Sequence, residues 1–401
     1  MKTAALAACL ALAVARPVDG PPAGNPDPLD WSGPPGSSKP FLTRTGNGEL
    51  LLTWFEPRAA RRYALMIANR TKAGWSPPRL VAESDRFFVN WADFPSVAQS
   101  SRGTWVVHWL EKTAAKPYAY HVRLSGSTDQ GRTWSAPRTA HSDTTPTEHG
   151  FVAMVPAADG SVDVAWLDGR AMADSKGAMS VRTASWRPDG TMGLETVLDA
   201  RSCECCQVSM TRSSIGLVAA YRDRSQEEVR DIVVVREQAG KWSQPTPVAV
   251  DNWVWKACPV NGPSVSAYGA NVGVAWFTGA GGGPKVRYAR SDDGGQSWQT
   301  PVQVDEGNTL GRVSLQMIGP TDALVTWLEV AGEEARWRIR RISGARPGPP
   351  FTVGVSSRAR DGGFPRTAVL GTDIFVAWTD PGTSPQSTAV RVRRIPVAKV
   401  R

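Results

Sequence analysis

A strand-like segment with an aromatic residue near its end recurs seven times along the chain, at almost constant spacing. The copies read LLLTWFE, WVVHWLE, VDVAWLD, GLVAAYRD, VGVAWFT, ALVTWLE and IFVAWTD. Their aromatic residues are spaced by 55, 57, 55, 55, 51 and 51 residues and are Trp54, Trp109, Trp166, Tyr221, Trp276, Trp327 and Trp378. A near-fixed period of this size indicates one supersecondary unit repeated along the chain. The repeat therefore predicts an array of seven similar units.

Each copy has the same internal order of four short segments. A short segment such as FPSVAQS comes first, the aromatic strand follows, and then come a Val/Arg strand such as MSVRTAS and a Trp-Ser-x-Pro segment such as TWSAPRTA. The 38 Gly and 31 Pro residues mark turns, because no long stretch has helical periodicity. Four short strands in about 50 residues are typical of a β-propeller blade. We predict an all-β fold, a propeller of four-stranded blades over residues 36–396, with seven blades by repeat count and six as the alternative.

The seventh copy is incomplete at its end. Its last residues, VRVRRIPVAKVR, supply a third strand but no fourth. An open ring would leave unpaired sheet edges, which are costly and prone to aggregation. The segment over residues 16–35, around PLDWSGPPG, precedes the first copy and can supply the missing outer strand. We expect this segment to close the ring.

The first fifteen residues have the pattern of an export signal. Lys2 precedes an apolar run, and Ala13-Val14-Ala15 offers the small residues of a cleavage site. The run is too short to span a membrane, and only eight residues precede Cys9, which argues against lipoprotein processing there. We predict a signal peptide over residues 1–15 and an exported chain, periplasmic or extracellular, without a transmembrane segment.

The charge of the chain limits the kinds of ligand that we expect it to bind. The formal net charge is +9, but the basic residues are scattered and often alternate with apolar ones, as in WRIRRIS. This alternation is typical of solvated strand faces. A diffuse positive field favours an anionic ligand, whereas nucleic acid is not an expected partner of an exported protein. We expect a small-molecule, glycan or metal ligand at the central face, and the sequence does not give the oligomeric state.

Two turns share a longer signature. Residues 127–134, STDQGRTW, and residues 291–298, SDDGGQSW, both read S-x-D-x-G-x-[TS]-W at equivalent positions of two copies. The Asp side chain can accept hydrogen bonds from turn amides, the Gly can take a positive φ, and the Trp can fill space between blades. This signature resembles the Asp box, also called the BNR repeat, of the sialidase superfamily. The resemblance covers the whole repeat region and implies a propeller fold without implying catalysis.

The resemblance also implies an enzymatic alternative. Sialidases hold the substrate carboxylate with three arginines, and they use a Tyr–Glu pair as nucleophile and an Asp as acid and base. Arg312 and Arg366 lie at the starts of innermost strands, and Asp93 lies in a loop that leads into one. The chain lacks the family's Arg-Ile/Leu-Pro motif near its start, has seven copies rather than six, and offers no tyrosine in a matching context. An exo-sialidase-type glycoside hydrolase acting on terminal sialic acids, with Arg312, Arg366 and Asp93 as catalytic residues, is therefore the alternative function.

Four of the five cysteines fall in loops of one kind. Cys203, Cys205 and Cys206 lie in RSCECCQVS, which leads into the fourth blade, and Cys258 lies at the matching position of the fifth. His149 occupies the corresponding place before the third blade. In a propeller the loops that lead into the innermost strands gather on one face around the axis. We expect the four sulfurs, with His149 close by, to meet at one rim.

Disulfides explain only part of this cysteine cluster. Consecutive Cα atoms such as those of Cys205 and Cys206 are about 3.8 Å apart, below the roughly 4.4–6.8 Å that a disulfide spans. One bridge from the cluster to Cys258 is compatible with the geometry, and two ordinary bridges are not. The remaining thiols suit a soft metal ion such as Cu(I), or Zn(II), or thiol redox chemistry.

These observations favour a sialidase-like propeller binding module. We expect Cys203, Cys205, Cys206, Cys258 and His149 to coordinate a soft metal ion (Cu or Zn), or the thiols to carry out redox chemistry, with no other cofactor. Trp253 and Trp255 would flank the same rim and stack on a sugar or another flat ligand. A third reading is a protein-interaction scaffold in which the cysteines only stiffen the rim.

Overall fold

The strands of the chain form seven antiparallel sheets arranged as blades around one axis. The computed structural model describes residues 29–174, 177–382, 384 and 387–401. The innermost strand of each blade contacts the innermost strand of the next, and that of the seventh blade contacts that of the first. The fold is a seven-bladed β-propeller, and the predicted all-β class and blade count are confirmed. The predicted signal peptide, with Cys9, lies outside the described residues.

Each blade runs from the axis outwards in chain order. The innermost strands of blades 1 to 7 are Ser38–Arg44, Val97–Gln99, His149–Pro156, Ser209–Arg212, Ser264–Tyr268, Thr309–Met317 and Arg366–Leu370. The second strands are Leu50–Pro57, Trp105–Lys112, Val162–Asp168, Leu217–Arg222, Asn271–Thr278, Asp322–Ala331 and Asp373–Asp380. The third strands are Tyr63–Thr71, Tyr120–Ser127, Met179–Trp186, Ile232–Gln238, Lys285–Ser291, Glu334–Ser343 and Ala389–Pro396.

The outer strands are short, and in three blades they form two pieces that pair with the same third strand. For blades 1 to 6 they are Gly74–Trp75 with Arg79–Ser84, Arg138–Thr139, Thr196–Ser202, Lys241–Trp242 with Thr246–Pro247, Val302–Gln303, and Arg346–Pro347 with Phe351–Ser356. Short 3₁₀ turns occupy Ala59–Arg61, Arg170–Ala173, Arg360–Gly362 and Val397–Lys399. None of the helices in the described part of the chain is long and apolar enough to cross a membrane.

The outer strand of blade 7 comes from the other end of the chain. Leu29–Ser32 pairs antiparallel with Ala389–Pro396, so residues before the first repeat complete the last one. Trp31 packs against Trp54 with ring centroids 4.8 Å apart. The Asp30 carboxylate accepts hydrogen bonds from Arg70 Nε at 2.9 Å and from the Trp75 indole at 2.6 Å. These contacts join both ends of the chain to blade 1 and cover a sheet edge.

The repeated aromatic residues occupy the second strands, where both faces of the sheet are covered by neighbouring blades. Trp54, Trp166, Trp276 and Trp327 are all buried in the cores between blades. Burying such a ring removes a large apolar area from water, so each repeat contributes its own inter-blade core. The repeat of about 50 residues in the sequence therefore corresponds to one inter-blade core for each blade.

The two turns with the shared signature have the same hydrogen bonds. Asp129 accepts the amides of Arg132 and Thr133 at 3.0 and 2.9 Å, and Asp293 accepts the corresponding amides, both at 2.9 Å. The glycine two residues after each Asp, Gly131 or Gly295, has a φ of 81° or 87°, in the left-handed region. The aspartates therefore stabilise the turns locally, at the outer side of their blades.

Serines on the innermost strands join successive blades. Val265 donates its amide hydrogen to Ser209 Oγ at 3.0 Å, and Leu315 does the same to Ser264 Oγ at 3.0 Å. One end of the axis is filled by an apolar cluster drawn from several blades, including Phe41, Trp91, Phe94, Phe151, Val208, Val260 and Phe364. The loops that lead into the innermost strands surround this cluster, and they carry the residues discussed next.

Candidate functional site

Three sulfur atoms lie together where the chain enters blade 4. The Sγ of Cys203 is 3.4 Å from that of Cys206 and 3.9 Å from that of Cys205. The three sulfurs all lie within 4.8 Å of one another. Cys203 and Cys206 are buried, whereas Cys205 is partly exposed. We call this group, together with Cys258, the thiol cluster.

Cys258 reaches the same group from the loop before blade 5. Its thiol is close enough to that of Cys205 to affect the pKa of both, but it is not one of the three sulfurs that lie within 4.8 Å of one another, and the residue is exposed. The amide of Asn261, three residues further on, donates to Cys206 Sγ at 3.4 Å. All four cysteines are free thiols. Two blades therefore supply the four cysteines of the cluster, three of whose sulfurs lie within 4.8 Å of one another, and no disulfide links them in the described residues.

Two buried arginines lie beneath the thiol cluster. Arg230 donates from a terminal nitrogen to Cys203 Sγ at 3.0 Å. Arg222, 1 % exposed, donates to the carbonyl oxygens of Asn261, Arg230 and Phe277 and has no carboxylate partner among the described residues. A buried cation needs a nearby negative charge, and a thiolate at Cys203 supplies one.

The protonation of the four sulfurs follows from their contacts. Hydrogen bonds from Cys205 and Cys206 hold the pKa of Cys203 well below its usual range, and Arg222 acts in the same direction. Donation to Cys203 raises the pKa of Cys205, and burial raises that of Cys206. The hydrogen bond from Cys205 lowers the pKa of Cys258. These contacts favour the thiolate at Cys203, and a thiolate is the form that binds metals and attacks electrophiles.

Acidic side chains and a tryptophan complete the rim. Glu204 and Glu228 both form ion pairs with Arg230, at 3.3 and 2.8 Å. The carbonyl oxygen of Trp255 accepts a hydrogen bond from Arg230 Nε at 2.7 Å. Trp255 is 46 % exposed, whereas Trp253 is buried beside it, with the ring centroids 6.0 Å apart. Only Trp255 presents a face to a ligand, and Trp253 supports it.

His149 lies in a different group from the cysteines, which differs from the sequence-based expectation. Its ring stacks on that of His141 with centroids 3.9 Å apart, and His121 lies edge-on to it at 5.1 Å. Its Nε2 is 2.9 Å from a carboxylate oxygen of Asp143. The physical reason is that blade 2 packs against the start of blade 3, which brings His121 and His141 next to His149. Nothing in the sequence around these two histidines predicts this contact.

The two arginines considered for a carboxylate clamp are engaged within the fold. The terminal nitrogens of Arg312 donate to the carbonyl oxygens of Gly363 and Ala359, at 3.1 and 3.0 Å. Arg366 lies over the ring of Phe94, with 4.2 Å from guanidinium carbon to centroid, and burial lowers its pKa to about 10. Arg312 therefore has its charge directed at backbone oxygens rather than at a ligand.

Asp93 belongs to a buried acidic group that the sequence did not reveal. Its carboxylate accepts the amide of Phe151 at 2.6 Å, and burial raises its pKa to about 7. The hydroxyl of Tyr120 donates to the carboxylate of Glu148, whose pKa burial also raises to about 7. Tyr120 is fully buried and stacks on Phe88 at 4.0 Å. In the sequence, only the position of Glu148 next to His149, in a loop that leads into blade 3, indicates that Glu148 lies near the axis.

The thiol cluster is surrounded by charged residues that the sequence did not predict to lie there. Arg222 ends a second strand, and Arg230 and Glu228 lie in the loop before a third strand, so none of them belongs to the loops that lead into the innermost strands. An arginine in a strand of alternating residues is ordinarily solvated. Its burial here depends on how blades 4 and 5 meet, which only the folded chain defines.

Comparison with solved structures places the fold among enzymes and one protein of unknown function. Polysaccharide lyase Uly1 is 8 % identical with a TM-score of 0.55, covering 90 % of both chains. A variant of the NanB sialidase from Streptococcus pneumoniae is 9 % identical with a TM-score of 0.51, covering 88 % of this chain and 84 % of its own. An unknown function protein from Dyadobacter fermentans is 16 % identical with a TM-score of 0.50, covering 89 % and 94 %.

These likenesses establish the architecture alone. No family model and no curated protein sequence matches the chain. The fold is that of a sialidase-like β-propeller.

Proposed function

We propose that this chain is a propeller binding module whose thiol cluster coordinates one soft metal ion, Cu(I) or Zn(II). The sulfur separations carry the proposal. A tetrahedral site with metal–sulfur bonds of about 2.3 Å places its sulfurs about 3.8 Å apart. The sulfur of Cys203 lies 3.9 and 3.4 Å from its two neighbours, close to that spacing. Cys258 supplies the fourth ligand from the loop before blade 5.

The charges around the cluster support this function. A centre of one Zn(II) and four thiolates, or one Cu(I) and three, carries two negative charges in excess. Arg222 has no carboxylate partner among the described residues, and Arg230 donates directly to Cys203 Sγ at 3.0 Å. Buried metal–thiolate centres need such donors around them. The arginines would therefore stabilise the loaded cluster.

The expected location of the chain adds a chemical reason. We take export as part of the proposal, because residues 1–15 have the pattern of a signal peptide. Thiols this close together tend to oxidise to disulfides outside the cytosol. Metal coordination would keep all four sulfurs reduced, so metal binding and export are mutually consistent.

The test is metal binding by protein purified under reducing, chelator-free conditions. We expect one equivalent of Cu(I), Zn(II) or Cd(II) per chain at this cluster, with sulfur-to-metal charge-transfer absorption for Cu(I) and Cd(II). The double substitution C203S/C206S should abolish that absorption. The matched control is M210L, a volume-conserving change at a buried sulfur residue of blade 4, which should leave it unchanged. An absorption-silent chain with a disulfide among these cysteines would refute metal binding and leave thiol redox chemistry.

A second candidate function is glycoside hydrolysis of the sialidase type. It is favoured by the Tyr120–Glu148 hydrogen bond beside Asp93 and Arg366, and by a solved sialidase sharing the fold. The test is a fluorogenic sialoside assay on the full chain. Activity that disappears in both R366A and Y120F would establish this function, and no activity in the unaltered chain would exclude it.

A further inference from the structure

Three of the four histidines of the chain converge at the seam between blades 2 and 3. His121 lies in the third strand of blade 2, His141 follows its outer strand, and His149 begins blade 3. Each offers one ring nitrogen, and these nitrogens all lie within 4.8 Å of one another. His141 and His149 are buried, at 6 % and 0 % exposure. Two buried imidazoles rarely meet a third, partly exposed one without a ligand to share, because each buried polar atom needs a partner.

The hydrogen bonds of the three rings define which nitrogens are free. His141 Nδ1 lies 3.0 Å from the carbonyl oxygen of Asp143, and His149 Nδ1 lies 3.2 Å from the carbonyl oxygens of Tyr120 and Thr147. A carbonyl oxygen only accepts, so both Nδ1 atoms carry hydrogens. Both rings are buried, where the uncharged form of an imidazole is favoured, and in that form only one ring nitrogen carries a hydrogen. Each Nε2 therefore holds a lone pair.

His121 has the complementary arrangement. Its Nε2 lies 3.1 Å from the carbonyl oxygen of Thr145, so this nitrogen donates and Nδ1 holds the lone pair. Metal-binding histidines almost always donate their other ring N–H to a carbonyl or carboxylate, which fixes the ring and its tautomer. All three histidines show this pattern. The buried Nε2 of His141 has no hydrogen-bond partner among the described residues.

A carboxylate faces the same point. One oxygen of Asp143 lies 2.9 Å from His149 Nε2. Because this nitrogen holds a lone pair and the carboxylate is negatively charged, the two atoms repel each other unless a cation binds both. Asp168 lies further away, at 3.7 Å, and is occupied by Arg170 and the Trp166 indole. Asp143 is thus the carboxylate available to a metal ion.

We propose that His121, His141, His149 and Asp143 bind one divalent transition-metal ion, best satisfied by Zn(II), at a site separate from the thiol cluster. Three imidazole nitrogens and one carboxylate oxygen make a four-coordinate site that suits Zn(II) and is closed to substrate. Such closed sites are structural. The ion joins two segments of blade 2 to the first strand of blade 3.

The experiment uses the full chain with its four cluster cysteines replaced, C203S/C205S/C206S/C258S, after chelator treatment and dialysis. We expect this variant to bind one equivalent of Zn(II), its Tm to rise on Zn(II) addition, and X-ray absorption at the zinc edge to show nitrogen and oxygen neighbours without sulfur. Adding D143N should weaken Zn(II) binding by more than the roughly 10–100-fold expected for a second-shell change. The control D159N changes an exposed turn carboxylate and should have no effect.

A second measurement covers the case in which the cysteine variant does not fold. The unaltered chain loaded with two equivalents of Zn(II) should then show both sulfur and nitrogen/oxygen environments in its absorption spectrum. Zinc bound through sulfur alone, or affinity unchanged by D143N, would overturn the site. Zinc bound through sulfur alone would support the thiol cluster while it overturns the histidine site, and an affinity unchanged by D143N leaves the thiol cluster untouched, so the two proposals can fail separately.

Discussion

The thiol cluster and the histidine group both lie at blade seams, yet their surroundings have opposite charge. Around the sulfurs of blades 4 and 5, the buried neighbours are Arg222 and Arg230. Around the imidazoles of blades 2 and 3, the neighbours include the partly buried Asp143 and the buried Asp168. Anionic sulfur needs cations near it, and neutral imidazoles that share a cation need an anion near them. Blade seams of this fold can thus hold soft or intermediate metal ligands, depending on the charge of the residues around them.

The largest expected effect concerns the arginine beneath the sulfurs. R222M should lower the free energy of unfolding by about 3–5 kcal/mol, because three buried carbonyl oxygens lose their donor and the thiolate loses a cation. Denaturant unfolding measures this. R212M is the control, since Arg212 pairs with Asp163 at the exposed end of the innermost strand of blade 4, and the change should cost less than about 1 kcal/mol. If R222M and R212M lowered the free energy of unfolding equally, the proposal that the thiolate needs a buried cation would be contradicted.

The second prediction concerns Asp93, which borders blade 3 and faces Arg366, Glu148 and Tyr120. Its pKa is raised from 3.8 to about 7, chiefly by burial. The folded chain therefore binds more protons than the unfolded chain between these values, and its stability falls as pH rises through that window. D93N should remove this slope and stabilise the protein at pH 8 by on the order of 1–3 kcal/mol.

Asp293 provides a control of opposite sign. Although burial opposes it, hydrogen bonds from Ser291 and Ser297 lower its pKa to about 2. Its contribution is present above the unfolded pKa and is lost as pH falls through the folded one, so D293N should destabilise the chain at pH 8. Parallel unfolding curves at pH 4 and pH 8 test both variants. If D93N and D293N changed the stability at pH 8 in the same direction, the raised pKa of Asp93 and the water-free surroundings that cause it would be contradicted.

The third prediction sharpens the role of charge at Cys203. R230Q removes the donor 3.0 Å from the sulfur, so the pKa of Cys203 should rise and its thiolate fraction fall. At a pH below the pKa of Cys203 in both variants, alkylation of Cys203 by iodoacetamide should slow by about tenfold, because one pKa unit changes the thiolate fraction tenfold there. Peptide mapping of the alkylated sites follows each cysteine separately. R224Q, at the outer side of the same ion-pair network, should change the rate much less.

The smallest effect distinguishes the two soft metals. C258S removes the exposed ligand and leaves three sulfurs close together. Zn(II) requires four ligands, so its affinity should fall by about tenfold or more. Cu(I) is satisfied by three thiolates, so its affinity should change by only about two- to threefold. A larger loss for Cu(I) than for Zn(II) would contradict the assigned coordination.

Much of the architecture could be predicted from the sequence because it is periodic and local. The seven aromatic strands predicted seven blades, since each Trp or Tyr fills the same inter-blade position. The two S-x-D-x-G-x-[TS]-W turns form with the expected hydrogen bonds because all their partners lie within four residues. The convergence of Cys258 with Cys205 also followed from the repeat, because equivalent loops of adjacent blades are neighbours.

The sequence alone determined how many blades form, where their strands and turns lie, and that four cysteines share a rim, because a period and a turn motif depend on residues close in the chain. The tertiary structure alone decided that His149 joins His121 and His141, that Arg222 lies beneath the sulfurs, and that Tyr120 meets Glu148. These contacts depend on which side chains face one another across a blade seam and on how dry that seam is. Burial and pairing of charge arise only when separate strands pack together, and no local pattern encodes them.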